Sequence, residues 1–249
     1  VSASTFLVDP VTLSNVQGGA DIELDAQVTH HMKVTRMGNS EIIDLVDGLG
    51  TRARGNLMSP GHFRVDSVTS ETRPQPNITV AQALIKGDRL ERAIEMMTEV
   101  GATAFIPWEA EHSIVKWSGD KAKKNVDKWV NVVRAATEQS RRSWTPNIFA
   151  PVDSKALASQ FADFDQVIFM EESDGVAFAQ VSEGSVLLVV GPEGGMSPRE
   201  REFFEQSAPE SSFSLTIGTG VLRSATAGVV GLAHLFATRP SAQRSGMEG

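Results

Sequence analysis

Residues 191–200 read GPEGGMSPRE and follow the apolar run SVLLVV. Gly191, Gly194 and Gly195 free the backbone to approach a ligand closely and bare its N–H and C=O groups. Ser197 is placed to cap a helix, Pro198 suits its first position, and Glu200 completes a capping box, so the loop is pinned to a helix start. A phosphate loop at such a turn carries Gly-Lys-Ser/Thr. This one has Glu193 and no lysine, and no GxGxxG follows a strand. The chemistry suits a ligand read by backbone groups and a carboxylate. Two further strand ends share this character. VIFMEESDG ends in Glu171 and Glu172, and SLTIGTGVLRSATAG supplies Gly218, Gly220 and Arg223 before a helix of small residues. Ligands of open α/β sheets sit beyond the carboxyl ends of the strands, and three such loops can surround an adenosine through backbone groups alone. The plain structural reading of GPEGG is a tight turn that serves only geometry.

The elements that must position these loops fall into two patterns. The first seventy or so residues read as β. DIELD and SEIIDLVDGLG set apolar residues between turn signals, FRVDSVTSET follows MSPGH, and Asp47-Gly48 is a strong turn dipeptide. HHMKVTR spaces Met32 and Val34 two apart, with Lys33 and Arg36 on other faces. Short strands at this spacing predict a small barrel or sandwich. TRPQPN breaks the pattern and marks a boundary, giving domains 1–73 and 74–249. Beyond it strands and helices alternate. ITVAQALIK, TAFIPW, DQVIFMEE and SVLLVVG read as strands. GDRLERAIEMMTEVG reads as a helix capped by Asp88 with Glu91 completing a box and Gly101 ending it. DKAKKNVDKWVNVVRAATEQSRR reads as a long helix with Val126, Trp129, Val133 and Ala136 on one stripe, and ATAGVVGLAHLFA as the last helix. This alternation predicts an α/β fold with a parallel sheet covered on both faces.

The 249 residues contain no cysteine, which excludes disulfides, zinc–thiolate sites and thiol catalysis by this chain and fits a reducing compartment. The opening VSASTFLVDP has no basic segment before an apolar core, so no signal peptide is expected, and no apolar run is long enough for a membrane span. Net charge is −8, unevenly spread: 6 basic and 9 acidic residues in 1–85, 11 and 9 in 86–146, 6 and 13 in 147–249. The middle segment, at 11 − 9 = +2, is where a polyanion would meet local patches; a solvated helical surface is the plainer account of the same charges.

Taken together, GPEGGMSPRE and IGTGVLRSATAG resemble the ribosomal RNA small-subunit methyltransferase E family, within the knotted SPOUT methyltransferases. HHMKVTRMGNSEIIDLVDGLG resembles that family's N-terminal PUA-like β-barrel, and ALIKGDRLERAIEMMTEVGATAFIPW and RAATEQSRRSWTP its middle segments, so the resemblance runs through nearly the whole chain. It implies a C-terminal SPOUT α/β domain with a deep trefoil knot, a homodimer in the cytoplasm, no metal and no membrane, and S-adenosyl-L-methionine as cofactor. That cofactor has no phosphate and so needs no lysine. By the resemblance one pocket wall is Gly191, Pro192, Glu193, Gly194 and Gly195, and another Ile217, Gly218, Leu222, Arg223 and Ser224, with Met170 and Glu171 at the end of the first knot strand. The small residues Ala227, Gly228, Gly231 and Ala233 suit a dimer interface or burial within their own domain.

The implied reaction is methylation of nitrogen 3 of one uridine of 16S rRNA in the small ribosomal subunit. Arg223 is the candidate to stabilise the uracil anion; its structural alternative is a salt bridge to Glu193 or Glu171. Glu171, Glu172 and His112 are the candidate bases. Lys33, Arg36, Arg52 and Arg54 in the first domain and Lys86, Arg89, Arg141 and Arg142 in the second are the candidate RNA contacts, the last two read at a helix end. The chain departs from the family pattern at Ala225, where a glutamate is usual, at Met96 for lysine, His112 for arginine and Arg141 for glycine. Three rival readings follow: a non-catalytic RNA-binding homologue, favoured by Ala225; a SPOUT methyltransferase acting on another RNA; and a metal hydrolase using Glu171, Glu172 and Glu193.

Overall fold

The structure is a computed structural model that describes residues 3–38, 40–173, 175–177 and 181–238. It divides into two compact units. The first holds the chain up to Arg73 together with Arg134–Thr145, and the second holds Pro74–Val133 and the chain from Pro146.

The first unit contains β1 (Ser4–Leu7), α1 (Pro10–Leu13), β2 (Asp21–Glu23), α2 (Ala26–Val34), β3 (Ile42–Val46), β4 (Thr51–Ser59) and β5 (His62–Ser70). The strands form one five-stranded sheet in the order β1-β3-β4-β5-β2, in which β1 and β3 run parallel and the other pairs antiparallel. The reading of this region as β throughout is corrected by α1 and α2. HHMKVTR lies within and just beyond α2 because the Asp25 carboxylate accepts a hydrogen bond from the Val28 N–H at 2.8 Å and starts a helix there. Val28 and Met32, four apart, then face the core, while Val34 is 65 % exposed. Phe6, Ile43, Leu45, Ala53, Leu57 and Phe63 fill the space beneath.

A buried charge sits in this sheet. Asp44, 3 % exposed, accepts from Arg52 at 3.0 Å and Arg54 at 2.8 Å. Burial raises its pKa, but the two guanidiniums outweigh that and hold it below the usual carboxylate value. Arg52 also donates to the Arg141 carbonyl at 2.7 Å and to Ser143 Oγ at 2.8 Å, and Gly50 N–H to the Ser143 carbonyl at 3.0 Å. These bonds place Arg134–Thr145 with the first unit.

Beyond β5 the chain continues as β6 (Asn77–Ala83), α3 (Arg89–Val100), β7 (Ala104–Glu109), α4 (Gly119–Gln139), β8 (Asn147–Ile148), β9 (Val152–Asp153), α5 (Ser154–Ser159), β10 (Gln166–Met170), β11 (Ser185–Val190), α6 (Pro198–Ser207), β12 (Phe213–Leu215) and α7 (Ser224–Ala237), all in the second unit except α4 from Arg134 on. The sheet is parallel, in the order β12-β10-β11-β6-β7-β8, with β9 also on β7. Alternate residues of its inner strands go to opposite faces. Ile168, Val186, Leu188 and Val190 join the core that includes α3, α4 and α7, whereas Val167, Phe169, Leu187 and Val189 join the core that includes α5 and α6. Burial on both faces is why these strands read as continuous apolar runs.

Two expected helix ends differ. Asp88 precedes α3 but makes no side-chain cap, because its backbone is already helical (φ −75°, ψ −8°), and Glu91 instead pairs with Lys128 at 2.7 Å. The long helix stops at Gln139, so Arg141 and Arg142 lie beyond it. The small residues of α7 serve packing inside their own unit. A Cβ at Gly228 would meet Met97 Sδ at 2.8 Å and one at Gly231 would meet Met170 Sδ at 2.5 Å.

Gly55, at a β-bulge of β4, admits no side chain at all: a Cβ there would lie 1.9 Å from the Arg64 carbonyl oxygen. Because the obstacle is backbone, Gly55→Ala is expected to lower unfolding stability by roughly 3 kcal/mol. Urea denaturation of the variant against the parent measures this, and a difference under about 1 kcal/mol would show that the bulge relaxes.

Candidate functional site

The ends of β10 and β11 and the segment after β12 open onto one cavity of about 330 Å³, within the size range of small-molecule sites. Of the residues singled out in the sequence, Met170, Glu171, Gly191, Pro192, Glu193, Gly194, Gly195, Ile217, Leu222 and Ser224 line it, and Gly218 and Arg223 do not. Val190, Met196 and above all Arg201 also line it and escaped the sequence reading; Gly220 and Glu172, read in the strand-end loops but not as pocket walls, line it too, as does Ala227 of α7. The signal for Arg201 was present. It lies four residues after the cap Ser197, on a helix whose start was legible.

The glycine loop is a tight turn, with Gly195 N–H donating to the Pro192 carbonyl at 2.9 Å. Gly195 has φ +68°, a conformation that any side chain would strain. Ser197 caps α6 and the capping box is complete: Ser197 Oγ accepts from Glu200 N–H at 3.1 Å, and Glu200 Oε2 accepts from Ser197 N–H at 2.9 Å. Glu200 is 2 % exposed and goes further. Its Oε1 accepts from the Glu111 N–H at 2.8 Å and from Ser154 Oγ at 2.5 Å. Ser154 Oγ in turn accepts from Trp108 Nε1 at 3.0 Å. One carboxylate therefore joins the end of β7, the start of α5 and the start of α6.

Next to Glu111, His112 reaches the glycine loop. Its Nδ1 lies 3.1 Å from the Gly194 carbonyl oxygen and 3.0 Å from that of Gly195. Two carbonyls can only accept, so Nδ1 carries the proton and the lone pair of the neutral ring lies on Nε2. A second link ties the loop to the last helix. Ser224 Oγ donates to the Gly191 carbonyl at 2.6 Å and accepts from Gln82 Nε2 at 2.9 Å. Gln82 is fully buried on β6, and this bond satisfies its amide N–H end, while its Oε1 has no partner among the described residues.

The cavity is acidic with one cation. Glu171, Glu172 and Glu193 line it, and Arg201 is its sole basic residue among the described residues. Arg201 pairs with Glu171, whose side chain is 7 % exposed. Burial pushes the Glu171 pKa above its ordinary value; Arg201 opposes this, while Glu172 and Glu205 add to it. The alternative role read for Arg223, a salt bridge to Glu171 or Glu193, is not what the structure has. Arg223 stands exposed immediately before α7 and has no ion pair among the described residues.

The candidate RNA contacts fall into different settings. Lys33, Arg36, Lys86, Arg89 and Arg141 are exposed. Arg52 and Arg54 are engaged by Asp44. Arg142 is half-buried, and burial lowers its pKa to about 10. Among the described residues no group of three His, Asp or Glu could hold a metal ion, and no helix is long and apolar enough to cross a membrane.

The model of a protein family described as an RNA methyltransferase domain matches residues 72–235. The ribosomal RNA small subunit methyltransferase E of Mycobacterium bovis is 34 % identical over 241 residues, covering 92 % of this chain and 90 % of that protein. Its Bacillus subtilis namesake is 30 % identical, covering 90 % and 93 %. Among solved structures, a putative methyltransferase from Legionella pneumophila in complex with the bound cofactor SAM superposes with a TM-score of 0.82 at 25 % identity, covering 96 % of this chain and 99 % of that one.

Glu200→Ala would strand two backbone N–H groups and a serine hydroxyl, and is expected to cost about 3 kcal/mol or more in urea denaturation; a loss under about 1 kcal/mol would mean water replaces the carboxylate. Glu171 gives a pH signature. Its folded pKa is above the ordinary 4.5, so its contribution to stability is present below that value and is lost as pH rises through the folded pKa. Relative to Glu171→Gln, the parent should therefore lose stability as pH rises above the ordinary 4.5, measured by denaturation at each pH. The opposite drift would show that Arg201 outweighs burial.

Proposed function

The chain belongs to the ribosomal RNA small subunit methyltransferase E family, and from that membership we propose that it methylates nitrogen 3 of one uridine of 16S rRNA, presented in the small ribosomal subunit. It is an RNA methyltransferase, and S-adenosyl-L-methionine is its cofactor. The observation that carries this reading is the composition of the cavity. The glycine-rich backbone from Gly191 to Gly195 suits close approach of an adenine, Glu171, Glu172 and Glu193 suit a sulfonium and an ammonium, and Arg201 suits a carboxylate. A pocket with three carboxylates and no lysine among the described residues is a poor phosphate site, so the residues fit this cofactor. When bound, it supplies an electrophilic methyl group.

The residues of the chain then have separable tasks. Uridine nitrogen 3 becomes nucleophilic only when it loses its proton. Arg223, exposed at the mouth of α7 and without an ion pair among the described residues, is placed to stabilise the resulting anion. His112 presents the Nε2 lone pair beside Gly194 and is the better proton acceptor, since Glu171 is engaged with Arg201. Gln82 and Ser224 hold the two walls of the cavity together and act as positioning residues.

The finer architecture belongs to the same proposal. The first unit is a PUA-like barrel that contacts RNA, with its five-stranded sheet and exposed Lys33 and Arg36 in support. The second is a SPOUT domain whose chain forms a trefoil knot. The return of Ser224 to Gly191 after β12 supports that path. The protein acts as a cytoplasmic homodimer. The packing of Gly228 and Gly231 inside their own unit moves the dimer surface to other residues of α7 or to neighbouring elements. Ala225 packs against the core rather than lining the cavity, so the absence of a glutamate there does not empty the site.

Labelled S-adenosylmethionine with small subunits lacking the modification, beside the same RNA stripped of protein, tests the reading. One reverse-transcription block at one uridine is expected, with subunits only. Cofactor binding without label in either tube would move the substrate to another RNA, and no cofactor binding would favour a non-catalytic module. Arg223→Ala should lower kcat by about 10²-fold with cofactor affinity unchanged; full turnover would remove it from the chemistry.

A further inference from the structure

The first unit contains a cavity that the methyl-transfer site does not use. It measures about 340 Å³ and is lined by β1 and by residues at the ends of α2 and α4. Thr5 lines it, is 6 % exposed, and its Oγ has no hydrogen-bond partner. A buried hydroxyl in that state is costly unless a polar ligand completes it. His31 stands edge-on to Phe6, with ring centroids 5.4 Å apart, and its Nδ1 is 3.6 Å from Glu138 Oε2. Glu138 Oε1 is fixed by the Leu7 N–H at 2.8 Å, so the imidazole is oriented from behind. Gln139 adds an amide and Met37 an apolar wall.

The rim is formed in the same way twice. α2 and α4 both end with a residue in the left-handed region, Arg36 at φ +58° and Arg141 at φ +57°. In each, the following N–H closes the helix end, Met37 to the Met32 carbonyl at 3.0 Å and Arg142 to the Thr137 carbonyl at 3.0 Å. Glycine is the unstrained residue at that position. Here both helices carry an exposed arginine instead, one lining the cavity and the other between two of its lining residues, Thr35 and Met37. Local strain kept at two points around one cavity points to a function for the side chains.

We propose that this cavity receives one unpaired ribonucleotide of the RNA substrate. The base lies against Phe6 and Met37, with Thr5, His31 and Gln139 on its polar edge, and the flanking phosphates lie on Arg36 and Arg141. Splayed bases are read by such donor and acceptor edges in a concave site, and phosphates by arginines at its rim. The inference rests on the reading that the chain acts on RNA, and places a recognition site apart from the cofactor.

The test uses the full chain. RNA from unmodified small subunits, substituted with 4-thiouridine, is photocrosslinked and the adducts are mapped by mass spectrometry. Adducts are expected on the peptides containing His31, Met37 or Gln139, and their loss in Gln139→Ala. The double variant Arg36→Gly, Arg141→Gly relieves both left-handed positions. Its melting temperature should equal or exceed the parent's, while its RNA Kd rises about tenfold and the slope of log affinity against log salt falls by about 2. Cofactor affinity should not change. Adducts confined to other peptides, or a parental salt slope in the double variant, would overturn the proposal, as would cavity occupancy by a peptide or metabolite in place of RNA. Crosslinking needs no turnover, so a parent that failed to methylate would sink the functional reading and leave this one still decided.

Discussion

The carboxylate of Glu200 is the constraint on which the rest of the site depends. It is buried, and it accepts from a backbone N–H at the end of β7, from a serine at the start of α5 and from the cap of α6. Donors in these three loops would otherwise be orphaned, because strand ends and helix starts leave N–H groups that the regular ladders cannot reach. A single acceptor with two oxygens satisfies all of them at once. The glycine loop therefore hangs from a fixed helix start, and His112, next to Glu111, is carried to the Gly194 and Gly195 carbonyls.

On the other side of the loop the tie is neutral. Gln82 and Ser224 form a short relay to the Gly191 carbonyl, buried in the sheet. The cavity is thus held from one side by a charge-assisted network and from the other by an amide and a hydroxyl. Among the described residues the charges there are three carboxylates and Arg201. Burial makes the Glu171 charge unfavourable, and Arg201 offsets only part of that. An arriving cation would complete the balance, which is a physical reason for a cationic cofactor to be preferred over an anionic one.

The first unit shows the same principle in a different use. Arg52 and Arg54, basic residues of a supposed RNA face, hold the buried Asp44. Their removal would leave an uncompensated charge in the sheet, so loss of RNA binding in such variants would mix recognition with folding. Arg36 and Arg141, held in left-handed turns beyond the ends of α2 and α4, are exposed instead.

Periodicity and turn chemistry made much of the molecule legible. The apolar runs of the parallel strands, the Ser197–Glu200 capping box and the Asp47-Gly48 turn depend on neighbours within a few residues, and the structure has all three. The three strand ends could be named for the same reason. The Asp88 capping box could not be decided locally, because a lysine 37 residues further on takes the Glu91 carboxylate. Nor could HHMKVTR, whose short apolar spacing suits a strand as well as a helix until Asp25 caps it. Sequence alone determined which loops carry the unusual chemistry, since glycines, caps and carboxylates announce themselves by type. Only the tertiary structure decided that Arg201 faces Glu171, that Gln82 reaches Ser224 across 142 residues of chain, and that Arg223 pairs with neither glutamate. Those are contacts between segments remote in sequence, set by the packing of a sheet in which β11 lies beside β6 and β12 beside β10.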